Sequence, residues 1–154
     1  MPKADDINAC KDVIIRYCQA INEWERLRYI LGRVENGQFT SVADRESVAG
    51  LTLESHHEAH AKIFDRFILP RDREHGSRPG APNSWSKDGS FYGVDPQTIR
   101  AVEFPAKDRA EIIADWGFQL PGGTIMFVLN HSDGTWRIAH LKLAVDDGWE
   151  VAHL

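Results

Sequence analysis

Apolar residues recur every three or four positions near the start of the chain, which predicts an amphipathic helix over residues 5–31. Asp5 or Asp6 is the expected N-cap, and Gly32 is the expected end of the helix. The stripe consists of Ile14, Tyr17, Cys18, Ile21, Trp24, Arg28 and Leu31.

A second helix is predicted from Thr52, a suitable N-cap, to Pro70, which cannot continue a helix. Between the two helices, residues 35–51 have a mixed pattern that predicts one or two helical turns around residues 44–49. The segment after Pro70, residues 71–92, is rich in Gly, Pro and Ser and predicts a long ordered loop. Such a loop inside a compact domain usually carries function.

After Pro96 the apolar pattern alternates with a period of two, which predicts four strands over residues 98–104, 110–118, 124–131 and 136–145. Short turn-like connections join them, so the strands should form an antiparallel meander. Helices followed by such a sheet define the α+β class. We expect one domain, residues 1–154, with the long N-terminal helix and further helices packed on a curved antiparallel sheet.

The chain has 154 residues and a net charge of −5, which argues against a nucleic-acid partner held by phosphate neutralisation. Most of the acidic excess lies in residues 79–154, which carry six basic and ten acidic side chains. Cys10 and Cys18 are eight residues apart on a predicted helix, too far for a disulfide, so both should be free thiols. Free thiols and the lack of a long apolar run predict a cytoplasmic protein with no membrane segment.

The C-terminal third of the chain resembles the nuclear transport factor 2-like, or cystatin-like, superfamily. Residues 110–143 carry the resemblance, above all the Asp133-Gly134-Thr135-Trp136-Arg137-Ile138 run, which looks like the family's turn followed by Trp, a basic residue and Ile. The resemblance implies a cone-shaped fold, which in this superfamily hosts enzymes, adaptors and binding modules.

Within that superfamily the chain looks most like the immunity proteins of bacterial polymorphic toxin systems. The likeness lies in residues 22–25, in residues 67–76 with their Arg71-Asp72-Arg73 run, and in the segments around Trp136 and Trp149. It implies a non-catalytic protein without cofactor that binds and neutralises the C-terminal domain of a cognate toxin. Many such toxins are nucleases with basic clefts, with which an acidic protein is compatible.

Three histidines, His56, His57 and His60, form the densest ionisable cluster of the sequence. His56 and His60 have the i, i+4 spacing of metal ligands, but the string departs from HExxH and no further ligand set completes it, so no metal is predicted. The competing interpretation buries His60 on the apolar stripe of the second helix with a hydrogen bond, while His57 and Glu58 face water.

A small-molecule enzyme or ligand carrier of the isomerase or dehydratase type is the alternative function. It would use the interior of the cone, with pocket residues Tyr17, Trp24, His60 and Trp116. Asp115 is the natural base, but strand alternation places it with Glu111 on the face opposite Ala110, Ile112 and Ala114. No catalytic residue is therefore predicted.

The five tryptophans divide into two groups. Trp24, Trp116 and Trp136 lie on periodic elements and should be core residues, whereas Trp85 and Trp149 lie in irregular segments. An aromatic side chain surrounded by charges is typical of interface hot spots, although Trp149 could instead plug the end of the sheet. The predicted partner-binding residues are Arg71, Arg73, Trp85, Tyr92, Asp146, Asp147, Trp149 and Glu150. A homodimer through the exposed sheet face is a third interpretation.

Overall fold

Three helices precede a five-stranded antiparallel sheet in the computed structural model, which describes residues 3–70, 98–116 and 123–152. The α+β prediction is confirmed. The helices are α1 (Ala4–Glu35), α2 (Val42–Ser47) and α3 (Leu53–Phe67). The strands are β1 (Ile99–Ala106), β2 (Arg109–Trp116), β3 (Gly123–Ser132), β4 (Thr135–Val145) and β5 (Gly148–Ala152).

Helix α1 is longer than predicted at both ends, and both predicted boundaries are wrong. Lys3 is the N-cap, so Asp5 and Asp6 lie inside the first turn, where carboxylates still interact favourably with the helix dipole. The helix continues through Gly32, because the residues before it pack on a further apolar cluster described below. Gly37, with φ 68°, follows the C-cap and takes the left-handed conformation.

The predicted start of α3 at Thr52 is confirmed by a reciprocal cap. The Thr52 hydroxyl accepts from the Ser55 backbone N–H at 3.0 Å, and the Ser55 hydroxyl accepts from the Thr52 N–H at 3.0 Å. The helix ends at Phe67, and the next two residues pair with β4, where the Leu69 N–H donates to the Ile138 carbonyl at 2.8 Å. Helix α2 matches the helical turns predicted around residues 44–49 but begins at Val42.

The strands lie in chain order, β1-β2-β3-β4-β5, as a meander. All four predicted strands are present, with ends that differ by at most two residues from the prediction. Strand β5 was missed because it has only five residues. The Asp133-Gly134 turn between β3 and β4 has φ values of 52° and 76°, which is the two-residue geometry that suits a twisted hairpin.

One face of the sheet is covered by α1 and α3, which together form the sheet-side core. Its central members are fully buried on both layers: Ile14, Tyr17, Ile112, Phe127, Leu129 and Ile138. A smaller distal cluster of Ile30, Leu31 and Val48 joins the end of α1 to the α2 region. Trp24 lies between the two clusters along α1.

Cys10 and Cys18 are buried free thiols, as expected. Burial, reinforced by the nearby Asp6 carboxylate, raises the pKa of Cys10 to about 12, and burial raises the pKa of Cys18 further. Within the described ranges, no helix combines the length and apolarity required to cross a bilayer.

Candidate functional site

The β4–β5 hairpin is the most exposed apolar feature of the sheet. Asp146 and Asp147 form its two-residue loop, since Val145 pairs with Gly148 across it. Trp149 is 40% exposed and Val151 is 43% exposed, although both belong to a strand. An aromatic side chain with this exposure beside charged residues has the composition of an interface anchor.

The two large apolar side chains of β5, Trp149 and Val151, point to the sheet face opposite the helices. Trp149 pairs with Ala144, and Val151 pairs with Lys142, which in turn pairs with Met126 of β3. The neighbouring residues of β4, Leu141 and Leu143, belong to the opposite, helix-covered face. We call the side of Trp149 and Val151 the outer face of the sheet. Near its centre, Met126 and Val128 are buried, with 6% and 2% exposure.

The carboxylates of the hairpin are solvent-exposed. Asp146 and Asp147 precede Trp149 in the loop, and Glu150 follows it on the other face of the strand, opposite Leu143. Their concentration produces a local negative potential at the free end of the sheet, which favours a basic partner and speeds its approach.

A second site, inside the molecule, joins α1 to α3 through Trp24 and His56. The Trp24 indole N–H donates to the His56 carbonyl at 2.7 Å, and His56 Nε2 lies 3.0 Å from the Trp24 carbonyl. A carbonyl can only accept, so the contact assigns the proton of neutral His56 to Nε2. The two rings stack with centroids 4.2 Å apart. These two hydrogen bonds and the ring stacking fix the position of α3 along α1 and the faces with which the two helices meet.

His60 and Glu25 lie in the same helical layer and carry buried polar atoms without partners. His60 packs edge-on to Trp24 with centroids 5.0 Å apart. No hydrogen bond from the described residues reaches His60 Nδ1 or Glu25 Oε2. Burial lowers the pKa values of His56 and His60 to about 4, and burial raises the pKa of Glu25 to about 8. All three groups are therefore mainly neutral at pH 7.

The residues considered for a pocket lie in different places. Tyr17 is fully buried in the sheet-side core with its ring edge-on to Phe67, at a centroid distance of 6.1 Å. Trp24 and His60 are buried together, and Trp136 is also buried, so the core placements of Trp24 and Trp136 are confirmed. The side chain of Trp116 lies outside the described residues.

The strand alternation that opposed Asp115 as a base is confirmed. Ala110, Ile112 and Ala114 are fully buried under the helices. Asp115 lies on the outer face, where its carboxylate pairs with the Arg100 guanidinium at 2.6 Å. It therefore does not enter the sheet-side core.

Among the histidines, the burial of His60 is confirmed, Glu58 is exposed and His57 is half-buried. Within residues 3–70, 98–116 and 123–152, no group of three or more His, Cys, Asp or Glu side chains could hold a metal ion. The remaining predicted contact residues, Arg71, Arg73, Trp85 and Tyr92, lie outside the described residues.

Sequence reasoning missed Glu25, the burial of His56 and one exposed aromatic side chain. Phe39, between α1 and α2, is 84% exposed. Its carbonyl accepts from the Arg33 guanidinium at 2.7 and 3.2 Å, which anchors the backbone below the ring. Phe39 is flanked by polar residues in the sequence. An aromatic residue alone in a polar loop was the available signal that its ring is exposed.

Comparison of the chain with family models, with curated proteins and with solved structures finds no match.

Proposed function

We propose that this chain is an immunity protein that binds and neutralises the C-terminal domain of a cognate polymorphic toxin in the cytoplasm. The proposal includes a nuclear transport factor 2-like, cone-shaped fold and a non-catalytic action. The observation that carries it is the β4–β5 hairpin, where the half-exposed Trp149 follows the loop carboxylates Asp146 and Asp147 and the exposed Glu150 projects from the other face of the same strand.

A neutralising protein must bind its target quickly and hold it. Clustered carboxylates raise the association rate with a basic domain, and a partly exposed tryptophan supplies apolar area that is buried only in the complex. The hairpin combines both features in seven residues, from Val145 to Val151. The sequence resemblance to immunity proteins points in the same direction.

The test is co-expression of the chain with the toxin domain encoded by the adjacent reading frame, in cells that the toxin alone kills. We expect growth to be restored and the purified proteins to form a one-to-one complex. Trp149→Ala should weaken the affinity at least about tenfold, or 1.4 kcal/mol. Phe39→Ala is the matched control, because it removes another exposed aromatic ring at the helical end.

If the Trp149→Ala variant still neutralised the toxin and the Phe39→Ala variant did not, the interface would lie at the helical end around Phe39 and not at the β4–β5 hairpin. Failure of the chain to bind or protect against the neighbouring toxin would contradict the immunity function itself.

A small-molecule enzyme or carrier is the second candidate, and the buried Glu25 and His60 favour it. Unpartnered polar atoms with shifted pKa values cluster at functional sites more often than elsewhere. Tyr17, Trp24 and Trp116 are the other proposed pocket residues. A bound apolar compound extracted from the purified chain, and lost in His60→Phe, would favour this candidate. If the His60→Phe variant kept the same bound compounds as the unchanged chain, His60 would not line a binding pocket, and this candidate would be contradicted.

A further inference from the structure

Strand β5 forms one end of the sheet. It pairs with β4, and no other described strand lies on its far side. An edge strand directs about half of its backbone N–H and C=O groups away from the sheet, where another extended chain can bind them. Proteins usually protect such edges, so the features of the two edges are informative.

The opposite edge, β1, is protected in three ways. Pro105 has no N–H to offer, and the β1–β2 register is interrupted between Ile99 and Ala101 and again between Glu103 and Ala106. Charged Arg100 and Glu103 are exposed along it. These features discourage the addition of a strand at β1.

Strand β5 lacks the proline and the register breaks of β1, although the charged Glu150 is exposed on it. Its register with β4 is continuous from the Val145–Gly148 pair to the Leu141–Ala152 pair, and the strand contains no proline. Trp149 and Val151 extend from it on the outer face, beside Lys142 and Met126. A strand added at β5 would therefore gain backbone hydrogen bonds and cover two exposed apolar side chains.

The charge of this region selects the chemistry of the added strand. Residues 142–152 contain three carboxylates and one basic side chain, Lys142, so the region is net acidic. A second copy of the β4–β5 hairpin would bring three further carboxylates to this region, Glu150 on the strand and Asp146 and Asp147 in its loop, and like charges disfavour such an association. Basic side chains would instead be paired with Asp146, Asp147 or Glu150.

We propose that β5 binds an extended, basic segment of the partner protein as an additional antiparallel or parallel strand. The identity of that partner as a toxin domain rests on the proposed function, whereas the edge itself can be tested without it. Backbone pairing supplies the affinity, and the carboxylates with Trp149 supply the preference for basic and apolar side chains.

The experiment titrates three labelled octapeptides into the full chain and measures fluorescence anisotropy. The first peptide alternates valine with lysine, the second alternates valine with glutamate, and the third is the valine–lysine peptide with every backbone nitrogen methylated. We expect the first to bind, and the other two to bind at least about tenfold more weakly. Amide hydrogen exchange should slow in β5 and remain unchanged in β1.

Two charge-reversed variants with equal net charge provide the matched control. Asp147→Lys/Glu150→Lys should weaken the valine–lysine peptide at least about tenfold, and Glu103→Lys/Asp108→Lys at the β1–β2 hairpin should change it less than about twofold. All four carboxylates are exposed, so both variants should fold.

Three results would overturn the proposal: no binding of the valine–lysine peptide, equal binding of the methylated peptide, or slowed exchange outside β5. A concentration-dependent dimer that Trp149→Asp dissociates would instead assign the edge to a second copy. If the chain neutralises its toxin while the peptide result is negative, only the strand-addition proposal fails. If the peptide binds but no toxin is neutralised, only the immunity function fails.

Discussion

Glu25 and the histidines of α3 couple the stability of the helical layer to pH in opposite directions. The pKa of Glu25 is raised from 4.5 to about 8 by burial. Its contribution to the free energy of unfolding is therefore fully present below pH 4.5 and is lost as the pH rises to about 8. The pKa values of His56 and His60 are lowered from 6.5 to about 4, so their contribution is present above pH 6.5 and is lost as the pH falls towards 4. Together these groups place the stability maximum near pH 6.5.

Glu25→Gln should therefore stabilise the protein at alkaline pH relative to the unchanged chain. The amide keeps the shape of the protonated carboxyl and removes its ionisation. Between pH 4.5 and 8, each pH unit should add up to about 1.4 kcal/mol to the difference in unfolding free energy. Urea denaturation at several pH values between 5 and 9 measures it.

Glu23→Gln, on the same helix, is the control for the Glu25 prediction. Glu23 is exposed and accepts two hydrogen bonds from the Arg26 guanidinium, which holds the pKa of Glu23 below its usual value. Its replacement should give no stabilisation that grows with pH. Parallel pH profiles for Glu25→Gln and the unchanged chain would show that the Glu25 carboxyl is solvated.

Among the buried polar residues, the sequence pattern predicted the burial of His60 but not that of His56 or Glu25. The i, i+4 stripe of α3 placed His60 with Phe64, because both belong to one helical face. His56 lies one turn earlier, and its burial depends on Trp24, which is 32 residues away in the chain. Glu25 is a charged residue outside the predicted apolar stripe of α1, so the sequence contains no signal for its burial. Only the packing of α1 against its neighbours buries it.

At the scale of elements, local signals located the start of α3 and the β3–β4 turn better than they located the end of α1. Thr52 and the Asp133-Gly134 turn have their own hydrogen-bonding or conformational preference, so the sequence identified them. Gly32 carried the wrong signal for α1, because the distal cluster of Ile30, Leu31 and Val48 extends the helix beyond a residue that usually ends one. Strand β5 was missed because five residues show too few alternations.

Gly32→Ala should stabilise the protein by about 0.5–1 kcal/mol, because α1 passes through this position with helical geometry. A Cβ atom there would lie 3.4 Å from Arg28 Nη1, at the end of a flexible side chain. Urea denaturation at pH 7 measures the change in unfolding free energy.

Gly37→Ala is the opposite case at the end of the same helix. Gly37 has φ 68°, so alanine should destabilise the protein by about 1 kcal/mol although the space around it is open. If Gly32→Ala destabilised the protein as much as Gly37→Ala, Gly32 would have the left-handed conformation, and α1 would end there as the sequence pattern indicated.

At the scale of the whole molecule, the sequence determined the order and class of the elements, since the change of apolar period from helical to alternating is long and clear. It could not determine which parts of the surface remain open. The difference between the protected β1 edge and the unprotected β5 edge depends on the strand order, and the exposure of Trp149 depends on which face the helices cover. The predicted acidic contact residues are neighbours in the sequence, but their place at the edge of the sheet follows from the strand order.

The molecule is stabilised unevenly along α1, and hydrogen exchange should resolve this. The first two-thirds of the helix lies on the sheet-side core, whereas the buried apolar side chains of its last turns belong to the small distal cluster. Small clusters open at lower free energy than the global transition. Amides of residues 29–35 and 42–48 should therefore exchange together and before those of Ile14, Phe127 and Leu129.

Val48→Ala tests this division, because Val48 is the buried side chain that connects the distal cluster to the α2 region. It should lower the opening free energy of residues 29–35 by about 1–2 kcal/mol and leave exchange in β3 unchanged. Val42→Ala, at an exposed position of α2, is the matched control and should change neither. An equal loss of protection in β3 would mean that the two clusters unfold as one unit, and that the Trp24–His56 contact between them transmits the loss of packing to the sheet.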